Sequence, residues 1–153
     1  MTRSHLWGVA TILANTFFRE CTLRIVAALD RNGFFPKNSL SFIAMPRAAF
    51  SLAFISGVLN STLVNAWFAG HFFSFHITVT QMRQVPIPKS TRKERVRVES
   101  VVERILALPV EPGHSEDLFA ELDEAVAACF LEKTEVPEAI SHAKKLLAKP
   151  LGM

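Results

Sequence analysis

The sequence predicts an α+β protein: a small antiparallel or mixed β-sheet around a long apolar helix, followed by a C-terminal helical appendage. Three observations predict it. Short runs rich in β-branched residues fill the first 45 positions, and no Asp, Glu, Lys or Arg occurs between Arg47 and Arg83. From Lys89 onward the chain becomes charged with a helical period. The expected division is a β-rich core at 1–88, with a buried helix at about 48–69, and a helical tail at 89–153.

The chain has 153 residues, enough for one domain, and half of them are hydrophobic, with 13 Phe and no Tyr. Its formal charge of +3 is unevenly placed. Residues 1–88 hold seven Lys or Arg against two acids, Glu20 and Asp30, whereas residues 89–153 hold ten against twelve. Sparse cations on an apolar half are compatible with an anionic partner such as nucleic acid, but a surplus this small does not identify one. Cys21 and Cys129 have no C-x-x-C spacing and read as free thiols in a reducing compartment, the cytoplasm. Near the N-terminus Arg3 precedes an apolar run. No small-residue cleavage site follows and Asn15 interrupts the run, so it reads as a strand and not a targeting segment.

Residues 8–18, rich in Val, Ile, Thr and Phe, form the first expected strand. The second is 23–29, ending at Asp30-Arg31-Asn32-Gly33, where Asn-Gly suits a tight hairpin turn. Residues 38–45 alternate polar and apolar as a third strand, antiparallel to the second. The tip carries Arg31, Asn32, Lys37 and Asn38. Arg and Asn are able to pair with guanine and adenine edges, although the same composition suits a solvated loop.

Pro46 ends that strand and one helix is expected from about Ala48 to Ala69. Leu52, Ile55, Leu59, Leu63 and Ala66 share a stripe, with Asn60, Ser61 and Asn65 outside it. The run is long enough to span a membrane, which takes roughly 20 apolar residues. Its polar middle, without flanking cationic clusters, favours a helix buried in protein. His71 and His76 lack a metal-binding pattern and read as partly buried, hydrogen-bonded histidines.

Residues 77–80 read as a short strand, and Val85-Pro86-Ile87-Pro88 as an extended chain at a sheet edge or domain exit. A capping box, Thr91-x-x-Glu94, opens a helix whose apolar face is Val98, Val101, Val102, Ile105 and Leu108. Its start is crowded with Lys89, Arg92, Lys93, Arg95 and Arg97, which suits phosphates or a solvated face. Ser115 is the expected cap of a second helix, with Leu118, Leu122, Ala125, Val126 and Cys129 on its inner face. A third spans about Pro137–Ala148.

No glycine-rich phosphate loop, G-x-S-x-G or metal-spaced cluster occurs in the sequence. The residues alone describe a binding module without a named ligand. The order of three stretches is more specific: IVAALDRNGFFPKNSLSFI (25–43), FISGVLNSTLVNAWF (54–68) and TVTQMRQVPIPK (78–89). This order resembles the target-recognition (specificity) domain of TaqI-like adenine-N6 DNA methyltransferases and fused restriction–modification enzymes. The stretch 121–140 is similar to a degenerate form of that family's usual ending. The family's cofactor motif and its Asn-Pro-Pro-Tyr-type motif have no counterpart here.

The resemblance therefore implies a double-stranded DNA reader without methyl-transfer chemistry. It would be a separated subunit, a fragment or a remnant, working with a separate methyltransferase or restriction–modification polypeptide. No cofactor is expected in this chain, and S-adenosylmethionine is implied for the catalytic part. Arg31, Asn32 and Lys37 are the candidates for base or phosphate contacts, and Arg83, Lys89 and Arg92 for phosphate grip. Arg19 and Arg24 are further candidates that could instead pair with Glu20 or Asp30. The rival readings are an assembly subunit with no DNA-binding role and a small membrane protein spanning 48–70.

Overall fold

The computed structural model describes residues 9–14, 23–31, 40–44, 50–72, 77–108 and 115–148, with only the backbone for 9–14 and 40–44. In order these residues form β1 (Val9–Ala14), β2 (Ile25–Asp30), β3 (Leu40–Ala44), α1 (Leu52–Asn60), α2 (Thr62–His71), α3 (Val79–Met82), α4 (Arg92–Leu106), α5 (Glu116–Phe130) and α6 (Val136–Leu147). The described chain is mostly helical, more so than the sequence suggested.

The strands are ordered β2-β1-β3, with β1 antiparallel to both neighbours. Val9 lies opposite Asp30 on one side and Ala44 on the other. The expected pairing of the second and third strands is therefore not formed. They flank β1 and run in the same direction, so the chain between Asp30 and Leu40 joins two strands that are not neighbours. The centre goes to VATILA, an uncharged strand with one polar side chain, Thr11. The Asn32-Gly33 turn itself lies outside the described residues.

The single long helix is also corrected. It breaks at Ser61, and α1 and α2 meet with a bend of 64°. Ser61 is extended (φ −72°, ψ 146°) and serves both helices. Its hydroxyl donates to the Val58 carbonyl at 2.8 Å and accepts from Val64 N–H at 3.4 Å, so it ends one helix and caps the next. Asp123 of α5 reinforces the second start, accepting from Thr62 N–H at 2.7 Å and Thr62 Oγ1 at 2.6 Å. A carboxylate at a helix N-terminus is stabilised by the exposed N–H groups there.

The residues expected outside the apolar stripe are among the most buried. Ser61 and Asn65 are fully buried and Asn60 half-buried. Asn65 Oδ1 accepts from Arg24 N–H (2.8 Å) and Ile25 N–H (2.6 Å). Asn60 accepts from Ala27 N–H (2.9 Å) and donates to Ala27 O (2.7 Å). Residues 25 and 27 point away from β1, so the two amides take the place of a fourth strand on that edge. An edge satisfied this way offers little for another chain to pair with.

The core joins β2, α1, α2, α4 and α5. Ile25, Phe54, Val58, Leu59 and Phe68 pack with Val98, Val101, Val102, Leu122 and Val126, on both sides of residue 88. Helices α4 and α5 thus share one interior with α1 and α2: α4 packs on α1 and α5, while α6 packs on α2 and α5. Gly57 permits the α1–α4 approach, since a Cβ there would lie 2.6 Å from Val98 Cγ1. The strand expected at 77–80 is instead the start of α3, opened by a reciprocal Thr78–Gln81 capping box. The Val85–Pro88 stretch is free of helix and strand, with Val85 and Pro88 buried. At α5, Ser115 makes no side-chain cap.

No single helix among the described residues is long and apolar enough to cross a membrane. Only the bent α1–α2 pair reaches that length and composition.

Candidate nucleic-acid interface

The described candidate cations fall into two groups. Arg24 and Arg31 bracket β2, and both are engaged within the fold. Arg24 is half-buried; its N–H is held by Asn65, and its guanidinium lies 3.4 Å from the Phe72 carbonyl. Arg31 is exposed and forms an ion pair with Glu103 near the end of α4. Arg83, Lys89 and Arg92 form the second group, on the path from α3 into α4. All three are exposed, and their side chains make no hydrogen bond or ion pair with another described residue. Eleven residues of helix separate Arg92 from Glu103, a rise of about 16 Å. Arg31, held at Glu103, and Arg92 thus lie near opposite ends of α4. Arg19, Asn32 and Lys37 lie outside the described residues.

The start of α4 is built to hold charge. Thr91 N–H and Oγ1 donate to Glu94 Oε2 at 2.7 and 2.9 Å, and Glu94 N–H returns to Thr91 Oγ1 at 3.3 Å. These bonds, the one from the Thr91 backbone first, hold the Glu94 carboxyl below the usual carboxylate range. The one acid in this cationic turn is therefore occupied by the cap. Lys89, Arg92 and Lys93 surround a helix N-terminus that already carries positive partial charge. Lys93 is a further exposed cation of this group, readable in the sequence from the run Lys89–Arg97.

Arg95 is turned inward: Nη1 donates to the Ser90 carbonyl at 2.6 Å, and the guanidinium sits 5.7 Å from the Phe50 ring centre. Arg97 and Arg104 face α5, and Arg104 reaches both oxygens of Glu121 at 2.9 and 2.7 Å. A groove of about 1040 Å³ between α4 and the end of α5 is lined by Lys89, Lys93, Arg97 and Lys133 but also by Glu121, Glu132 and Glu135. Its mixed sign makes it no uniform phosphate track.

A family model described as the TaqI-like C-terminal specificity domain matches residues 4–87, more than half of the chain. The chain belongs to this family. No curated protein and no solved structure matches it. The match ends at Ile87, inside the proline stretch, so the specificity domain as matched takes in the sheet and α1–α3, while α4–α6 lie beyond it. This family is that of specificity modules of methyltransferase and restriction–modification systems.

The resemblance implies S-adenosylmethionine for the catalytic part of such a system, and the described residues do not fit that cofactor. Its binding calls for a glycine-rich turn between strand and helix. The two described glycines, Gly57 and Gly70, both lie inside helices. Nor do the described residues hold a cluster of three or more metal-ligating side chains. His71 is hydrogen-bonded as expected but exposed instead of partly buried, stacked 4.2 Å from the Trp67 ring at the end of α2 with Nδ1 2.7 Å from the Trp67 carbonyl; His76 lies outside the described residues.

Proposed function

We propose that this specificity domain reads double-stranded DNA for an adenine-N6 DNA methyltransferase or restriction–modification system, with the chemistry supplied by another polypeptide. The observation that carries the reading is the family match over the β-rich half. Methylation of adenine requires the base to be extruded into a pocket beside the cofactor. The partner supplies that pocket and S-adenosylmethionine, and this chain supplies target choice. In this reading Asn32 and Lys37 contact base edges or nearby phosphates. Arg83, Lys89 and Arg92 grip phosphates, a role that their exposure and lack of described partners support.

Duplex binding is measured from low to moderate salt, with the chain alone and with its methyltransferase. Each phosphate contact contributes about 0.9 to the slope of log K against log salt. Arg83→Ala, Lys89→Ala and Arg92→Ala are each expected to lower the slope by about that amount. No duplex binding at low salt, with or without the methyltransferase, refutes the reading.

A second reading, an assembly subunit that touches no DNA, draws support from the engagement of Arg24 and Arg31 inside the fold. Under it, Lys37→Ala leaves every activity of the complex unchanged, while substitutions in α5 and α6 abolish assembly.

A further inference from the structure

On the strength of the DNA-reading proposal, we infer that α4 is a strut that fixes where the recognition loops begin, with Glu103 and Arg31 as its positioning residues. Arg95, Glu99 and Glu103 are spaced by four and so share one face of the helix. Each fastens a different point of the family-matched part. Arg95 lies over the Phe50 ring, Glu99 accepts from Ser51 Oγ at 2.5 Å, and Glu103 holds Arg31.

These attachment points are not scattered. Arg31 is the last described residue before 32–39, the connection that carries Asn32 and Lys37. Phe50 and Ser51 are where the chain returns after β3 and residues 45–49. The α4 face therefore holds the described ends of both connections that bracket β3. Asn65 and Asn60 pin β2 from the other side, so Arg31 leaves a strand fixed along its length. A guanidinium already paired with a carboxylate is poorly placed to take a phosphate. Its use is to aim the residues that follow it.

The Arg31–Glu103 pair is exposed, at 58% and 47% of the two side chains. Such pairs contribute little to stability, which separates aiming from folding. The test uses the full chain, with Glu103→Gln, Arg31→Glu, the exchanged pair Arg31→Glu with Glu103→Arg, and Glu116→Gln as a control for lost charge. A random duplex library first gives the sequence that the wild type prefers. Each variant is then titrated with that duplex and with a scrambled one, and amide exchange is followed at 32–39.

Glu103→Gln is expected to lower the preference by about two- to fivefold, the limit set by what an exposed ion pair contributes, and to speed exchange at 32–39. The exchanged pair restores both, and Glu116→Gln changes neither. If the exchanged pair leaves the preference lost, Arg31 touches DNA itself and the positioning role is overturned. If Glu103→Gln leaves exchange unaltered, the strut is overturned. A wild type that selects no sequence overturns DNA reading instead, and the exchange data alone then decide the strut.

Discussion

Asn65→Ala is expected to remove about 3–5 kcal/mol of stability. The side chain is fully buried and works in both directions. Its Oδ1 accepts from Arg24 N–H and Ile25 N–H, and its Nδ2 donates to the carbonyls of Leu59 (2.9 Å) and Ser61 (3.1 Å). The Ser61 carbonyl keeps a second partner, the backbone N–H of residue 65 at 3.1 Å. Truncation therefore strips three backbone groups of this partner: two N–H groups and the Leu59 carbonyl. Each buried group left unpaired costs about 1–3 kcal/mol, and the part-buried Arg24 amide lies at the low end. Against a typical total of about 5–15 kcal/mol, this is about a fifth or more of the stability.

Urea unfolding of the full chain, followed by far-ultraviolet circular dichroism, reads the loss as a shifted midpoint with an unchanged slope. Asn60→Ala is the internal comparison. It makes a similar set of bonds to Ala27 and Ser56 but is half-buried, so water substitutes and the loss is about 1 kcal/mol. A loss below about 1 kcal/mol at Asn65, or equal losses at the two sites, would refute the edge-closing argument.

Two further substitutions probe the packing around α4. Gly57→Ala gains about 1 kcal/mol of helix propensity, yet its methyl would meet Val98 Cγ1 at 2.6 Å and Val102 Cγ2 at 3.0 Å. Valine is stiff at χ1, so the net outcome is a loss of about 1–2 kcal/mol, and a stabilised variant in the same urea assay would contradict the close approach. Burial first, then the Glu94 charge, pushes the Cys129 thiol up to about 11 from an ordinary 9.0, with Arg97 opposing. The folded state thus holds its proton more tightly, so this contribution to stability is full below pH 9.0 and is lost as pH rises through 11. In a Cys21→Ser background, alkylation of the native chain at pH 8 is expected to be much slower than in urea; equal rates would contradict the burial.

Local signals carried over well and pairings did not. The β-branched runs mark β1–β3, and Thr91-x-x-Glu94 with its valine face marks α4, because each depends on neighbours in sequence. The α3 turn was legible by the same rule, since Thr78-x-x-Gln81 is the same box as Thr91-x-x-Glu94; the β-branched Ile77–Thr80 run masked it. The strand order was not legible, because Asn-Gly between two strands describes a turn and not which edge is free. The burial of Asn60 and Asn65 was hidden for a different reason. A helical wheel ranks side chains by polarity, while these amides are buried by the backbone of β2, some 33 to 41 residues away. At the candidate site, the exposure of Arg83, Lys89 and Arg92 follows from local composition. The Arg31–Glu103 pair joins residues 72 apart and leaves no local trace.

The break at Ser61 also bears on how the chain is made. Laid out as one straight helix, Leu52–His71 would be about 30 Å long, the thickness of a bilayer interior. A nascent chain carrying that segment resembles the substrates of membrane-insertion machinery. Bent at Ser61, neither half exceeds about 15 Å, and the amides on either side of the bend require a protein backbone as partner. That backbone is β2, which is synthesised first and has already emerged when Asn60 and Asn65 follow. The order of the sequence thus delivers the partner strand before the apolar segment that depends on it.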